Sequence, residues 1–184
     1  TENILAKTAK KYGIPSTLST VATETPEVIG PLMGDMGWFQ LYPPRDKTLR
    51  ADLLKRVKEN GFHTLALTVD IPTPSRREKS IKSGLTMPPK ITANFIYQAL
   101  THPAWTKATL SRGLPKLRTM LKYVPSGDTG DIVQFVGQNL GGTLDWEYVK
   151  EVRDIWDGPM FLKGILHPAD AEKAISIGIE GIGV

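Results

Sequence analysis

A chain of 184 residues, 40% hydrophobic and 23% charged, has the size and composition of one ordered domain with a sizeable core, and this excludes a disordered polymer. The absence of cysteine rules out disulfides, thiolate metal sites and a thiol nucleophile, and no apolar run approaches the roughly 18 residues of a bilayer crossing. The first residues lack the apolar core of a signal peptide, so a cytoplasmic location is the default expectation, and the net charge of +4 is only mildly basic.

Residues 1–12 have helix-forming composition, with Ile4, Leu5 and Ala9 read as one side and Gly13 as the stop. Ile14-Pro15 turns the chain into a strand-like run at 17–22. Thr25-Pro26-Glu27 has the signature of a helix start, with Thr as cap and Pro at the first position, and the helix is expected to be cut short by Gly30-Pro31 and Gly34. Gly37 leads into the strand WFQLY (38–42), which Pro43-Pro44 ends. The strongest helical pattern covers 47–60, with Leu49, Leu53, Leu54 and Val57 as its stripe, Lys and Arg elsewhere, and Gly61 as the stop. The strand TLALTVD (64–70) follows at once. Strand, helix and strand joined by short connections is the βαβ rhythm of a parallel sheet.

The rhythm is lost after Arg77. Residues 79–143 carry helical signals only around 93–100 and 116–123 and read as a long, lid-like insertion. Within it, 79–127 holds eight Lys or Arg and no Asp or Glu. That charge suits a site for anionic small molecules or a peripheral contact with an anionic membrane face; no nucleic-acid motif accompanies it. Regularity returns with a helix capped by Asp145, the strand MFLKG (160–164), and a helix from His167-Pro168 with Ala171, Ala174 and Ile175 as its stripe. GIEGIGV (178–184) reads as the start of one more strand. Five strand candidates in this order predict the α/β class and a (β/α)₈ TIM barrel, present here as an incomplete fragment, since a whole barrel takes about 250 residues. A doubly wound sheet is the alternative, and the missing G-x-G-x-x-G turn after an early strand weighs against it.

Chemistry in a parallel barrel gathers at the C-terminal strand ends. Gln40 and Tyr42 are two apart and share a face there, and Thr68 and Asp70 stand in the same relation on the next strand. Ser19 lies late in its own strand, and Lys163 follows three apolar residues, where burial would be costly without a partner. Each residue alone is more often filler or packing, so only their convergence on one mouth would mark a site. Arg76-Arg77 forms a fork suited to a carboxylate or phosphate. None of His63, His102 and His167 has the strand-end placement of a general base, and no carboxylate or histidine cluster has metal-ligand spacing.

The motifs LSTVA, WFQLY, LTVDIPTPSRRE with GLTMPP, and LKGILHPADAEKA with GIEGIGV resemble, in order and spacing, the FMN-dependent α-hydroxy acid oxidases and dehydrogenases. The similarity leaves out only about 90–140. The resemblance implies a single FMN-binding barrel domain across 1–184 and oxidation of a small L-2-hydroxy acid, of the lactate, glycolate or mandelate type, to the 2-oxo acid. It implies that Ser19, Gln40 and Thr68 hydrogen-bond the FMN ring, and that Lys163 sits at the ring edge where its charge favours electron acceptance. It further implies that Tyr42 hydrogen-bonds the substrate, that Arg77 grips its carboxylate, and that a homo-oligomer forms. The family places its catalytic histidine and a second substrate arginine in a segment after the one matching GIGV. Ser75 before the arginine pair and Pro43-Pro44 after WFQLY depart from the usual family residues. A catalytically incomplete remnant or binding module of the same fold is the alternative function.

Overall fold

A computed structural model describes residues 2–71, 78–82, 91–113, 115–124, 126, 128–141 and 144–184. Five strands form one sheet: β1 (Ser16–Ser19), β2 (Gly37–Leu41), β3 (Thr64–Thr68), β4 (Met160–Lys163) and β5 (Gly181–Gly183). All pairings are parallel and the spatial order is β1-β2-β3-β4-β5, the same as the chain order. A doubly wound sheet reverses direction at a switch point, whereas a barrel adds each strand beside the last. The sequential order therefore decides for five consecutive strands of the (β/α)₈ arrangement.

The helices are α1 (Glu2–Tyr12), α2 (Pro26–Met33), α3 (Lys47–Glu59), α4 (Glu78–Lys82), α5 (Ala93–Thr101), α6 (Pro103–Arg112), α7 (Arg118–Leu121), α8 (Thr129–Asn139), α9 (Trp146–Ile155) and α10 (Pro168–Ser176). One face of the sheet is apolar throughout. The register aligns Leu18, Phe39, Leu65 and Met160 in one row, and Leu41, Leu67 and Leu162 in the next. All seven are at most 2% exposed, packed with Ile29 and Met33 of α2, Leu53, Leu54 and Val57 of α3, and Val149 and Val152 of α9. Asp46 caps α3 through Leu49 N (2.8 Å) and Asp145 caps α9 through Tyr148 N (2.8 Å), which fixes where each helix leaves the mouth of the sheet.

Several local expectations are corrected by packing. α2 is short and ends at Gly34 as expected, but it runs unbroken through Gly30-Pro31; glycine at 30 serves packing, since a Cβ there would strike the Asn60 carbonyl at the end of α3. α1 buries Ala6 and Ala9 and leaves Ile4 and Leu5 exposed, because small side chains let it lie close against the neighbouring elements. Ile175 of α10 is 72% exposed and Ala174 alone is fully buried. Arg50, expected on the polar face of α3, is 2% exposed, with its guanidinium 4.3 Å over the Tyr148 ring and bonded to Glu151. Beyond the short α4, the described residues of 79–143 form four helices of four to eleven residues, two of them (α6 and α8) without a clear sequence signal. Met120, Val124 and Ile132 of this stretch belong to the main core, whereas α5 and α6 bury no residue.

Candidate active site

The second face of the sheet is built differently. The register places Ser19, Gln40, Ala66, Phe161 and Gly181 in one row across all five strands, with Thr68, Lys163 and Gly183 one step nearer the C-terminal ends. Phe161 reaches over the glycine at 181, where a Cβ would strike its ring, and meets Trp38 with ring centroids 5.1 Å apart. Polar groups collect above that aromatic floor, at the C-terminal ends, as expected for a parallel barrel.

Ser19 Oγ donates to Gln40 Oε1 at 2.8 Å, and Gln40 Nε2 donates to Thr68 Oγ1 at 2.8 Å. Three strands are thus joined by a hydroxyl–amide–hydroxyl chain. The second Gln40 N–H and the Thr68 O–H have no acceptor among the described residues. Lys163 Nζ lies 2.8 Å from Asp70 Oδ2, with side chains 56% and 35% exposed. The lysine thus escapes the cost of burial among its apolar neighbours: it is more than half exposed and has a carboxylate partner. Gly164, at φ +103, backs that partner: a Cβ there would collide with the Asp70 side chain. Tyr42 follows directly on β2, two positions beyond Gln40, and its hydroxyl has no partner among the described residues.

Ser19, Gln40, Thr68 and Lys163 are thus brought to one face and one end of the sheet, with Tyr42 at its rim. Arg76 and Arg77 lie outside the described residues. Two contributors are less legible in the sequence. Asp70 was marked by its spacing from Thr68, but its pairing with Lys163 depends on the β3–β4 register. Thr20 is fully buried, donates from Oγ1 to the Gln40 carbonyl at 2.6 Å and accepts from Tyr42 N at 2.9 Å; its only sequence signal is its place beside Ser19. The histidines are engaged elsewhere. His63 precedes β3 at the opposite end, 3.7 Å from Asp35; His102 bonds Gln98 O in the α5–α6 elbow; and His167 caps α10 through Ala169 N.

The family model for FMN-dependent dehydrogenases matches residues 1–184. The chain belongs to the FMN-dependent dehydrogenase family. Among solved structures it is similar to the monotopic membrane protein (S)-mandelate dehydrogenase, at 26% identity and a TM-score of 0.90 over 98% of this chain and 48% of that one. It is also similar to mandelate oxidase, at 27% identity and a TM-score of 0.69 over 98% of this chain and 43% of that one. Mandelate oxidase with (S)-2-phenylpropionate gives 27% identity and a TM-score of 0.66, covering 98% and 41%. The chain spans about half the length, or somewhat less, of these proteins.

FMN is the cofactor of this family, and the donor set fits it. The edge of a flavin ring alternates carbonyl and nitrogen acceptors with an N–H donor. A row of two hydroxyls and an amide can answer either kind, because hydroxyl and carboxamide groups both donate and accept. The uncommitted hydrogens of Gln40 and Thr68 and the exposed ammonium of Lys163 face the same region of the sheet. Trp38 and Phe161 close it from below.

Proposed function

We propose that this chain forms the flavin-binding portion of an FMN-dependent oxidoreductase that converts a small L-2-hydroxy acid, of the lactate, glycolate or mandelate type, to the 2-oxo acid. The observation that carries this reading is the Ser19–Gln40–Thr68 hydrogen-bond chain on the same sheet face and strand end as Lys163. In this reading Ser19, Gln40 and Thr68 hold the ring by hydrogen bonds, and Lys163 places a positive charge where negative charge develops. FMN, when bound, accepts the two electrons that the oxidation releases. Tyr42 offers its open hydroxyl to the substrate, and Arg77 binds the carboxylate as a bidentate fork. The substrate hydroxyl must lose its proton to a base that none of the three histidines is placed to supply, so the reading requires a base from outside these residues.

The test is the visible spectrum of the purified holoprotein. A flavin absorbance that bleaches on anaerobic addition of lactate, glycolate or mandelate is expected. Absence of flavin, or no bleaching across a broad panel of 2-hydroxy acids, overturns the reading in favour of a non-catalytic module of the same fold.

A peripheral membrane contact at the inner face of a membrane is part of the proposal. Its support is the α5–α6 hairpin, in which no residue is buried and Tyr97, Leu100 and Leu110 are 63%, 76% and 82% exposed. Lys107, Arg112 and Lys116 flank these apolar side chains and no acid does. Among the described residues no helix is long and apolar enough to cross a membrane.

A further inference from the structure

The backbone carrying Gln40 and Tyr42 is held at the mouth in an unusual way. β1 ends at Ser19 and the chain turns, with Ala22 N donating to the Ser19 carbonyl at 3.1 Å. Thr20 N–H donates to the Gln40 carbonyl, so in a continued parallel ladder the next acceptor for the chain leaving β2 would be the Thr20 carbonyl. The Tyr42 N–H, the first donor past the end of β2, makes no hydrogen bond to that carbonyl or to any other main-chain acceptor among the described residues. It cannot be left bare without the cost of an unsatisfied buried amide.

Thr20 fills the gap with its side chain. Its Oγ1 accepts from Tyr42 N at 2.9 Å and donates to the Gln40 carbonyl at 2.6 Å, while its own N–H donates to the same carbonyl at 3.0 Å. Tyr42 is followed by Pro43 and Pro44, which have no N–H to donate. The next donor along the chain is Arg45 N, which goes to Asn139 O at 2.9 Å in a different element. The Thr20 hydroxyl is therefore the last tie between the sheet and the segment that presents Tyr42.

We infer that Thr20 is a positioning residue: its hydroxyl sets the height and direction from which Gln40 and Tyr42 address the ligand, without touching the ligand itself. The inference rests on the reading of Tyr42 as a substrate-binding residue and adds a requirement of its own, which is that the hydroxyl, and not the bulk, of residue 20 matters.

Thr20→Val keeps the shape and removes both side-chain hydrogen bonds, and Thr20→Ser keeps the hydroxyl and removes the methyl. In the flavin-loaded holoenzyme, Thr20→Val is expected to speed amide exchange at Tyr42 by tenfold or more. It should also raise KM for the 2-hydroxy acid by roughly tenfold, about one hydrogen bond's worth, while kcat changes less than about threefold. Thr20→Ser should return both to wild-type values. A Val variant with unaltered exchange and KM overturns the inference, and so does a Ser variant that falls as far as Val, since the methyl would then be the important group. If the Val variant is not recovered folded, Thr20→Ala makes the same deletion with less demand on packing and is read by the same criteria. Wild-type protein with no turnover would overturn the functional reading, whereas unchanged Tyr42 exchange in the variants overturns only the role of Thr20.

Discussion

Lys163 and Asp70 meet at 2.8 Å because the β3–β4 register puts Thr68 beside Lys163, and Asp70 follows Thr68 by two residues. Both side chains are partly in water, so the pair contributes little to folding, on the order of 1 kcal/mol or less. Its value lies in placement: the carboxylate fixes where a cation stands at the strand ends. Replacing Lys163 by Met should therefore separate stability from chemistry. We expect the melting temperature to move by only a few degrees, while turnover of the holoenzyme falls by about 10²-fold or more, the usual consequence of losing one well-placed charge. Thermal melts and steady-state kinetics on the same preparation check both halves. A large loss of stability with near-normal turnover would show the lysine to be a structural group.

At the scale of elements, the stretch 79–143 is two things. α5 and α6 form a hairpin apart from the core, held together by a Phe95–Trp105 edge contact at 6.1 Å and by Thr106 Oγ1 donating to Ala99 O at 2.6 Å. α7 and the turn after it are stapled to the helical layer. Tyr123 OH donates to Asp52 Oδ2 at 2.6 Å, Arg56 donates to Tyr123 OH at 2.9 Å and binds Glu27, and Arg118 and Lys122 pair with Glu24 and Asp52. Two of the eight cations in the acid-free stretch are thus committed to the body of the domain. The Tyr123 and Lys122 hydrogen bonds hold the Asp52 carboxyl below its ordinary range. Burial, reinforced by Asp52, pushes the Tyr123 phenol up to about 12. A phenol that keeps its proton longer in the folded state gives stability that is complete below the unfolded value near 10 and is lost as pH rises toward 12. Denaturant titrations across that window should show a loss on the order of 2 kcal/mol, and Tyr123→Phe should flatten it. An unchanged alkaline limb in the Phe variant would mean that the staple carries no such linkage.

At the scale of the whole molecule, one sheet face is sealed by helices, the other carries the candidate site, and the α5–α6 hairpin is left with its apolar side chains in water. Docking of that hairpin on an anionic membrane would bury Leu100 and Leu110 while Lys107, Arg112 and Lys116 meet the headgroups. Co-sedimentation with vesicles containing anionic lipid is expected at low salt, weakening as the Debye length shortens, and Leu100→Asp should reduce it several-fold. Binding that is absent, or that ignores salt, would remove the electrostatic part of the proposal.

Sequence periodicity and breakers were enough to place all five strands, the α3 helix and the α9 helix with its Asp145 cap, because these follow from local rules: period two, period 3.6, and which side chains can cap or break. The strand-end logic also marked Ser19, Gln40, Tyr42, Thr68 and Lys163 without any long-range information. What depended on partners distant in the chain was out of reach. Which face of α1 is buried, why α2 continues past Gly30-Pro31, why Arg50 lies inside, and how Thr20 and Asp70 serve their neighbours are all settled by contacts with residues roughly twenty to a hundred positions away. A local pattern reports what a residue prefers, and only the assembled sheet and helices decide which preference is met and by whom.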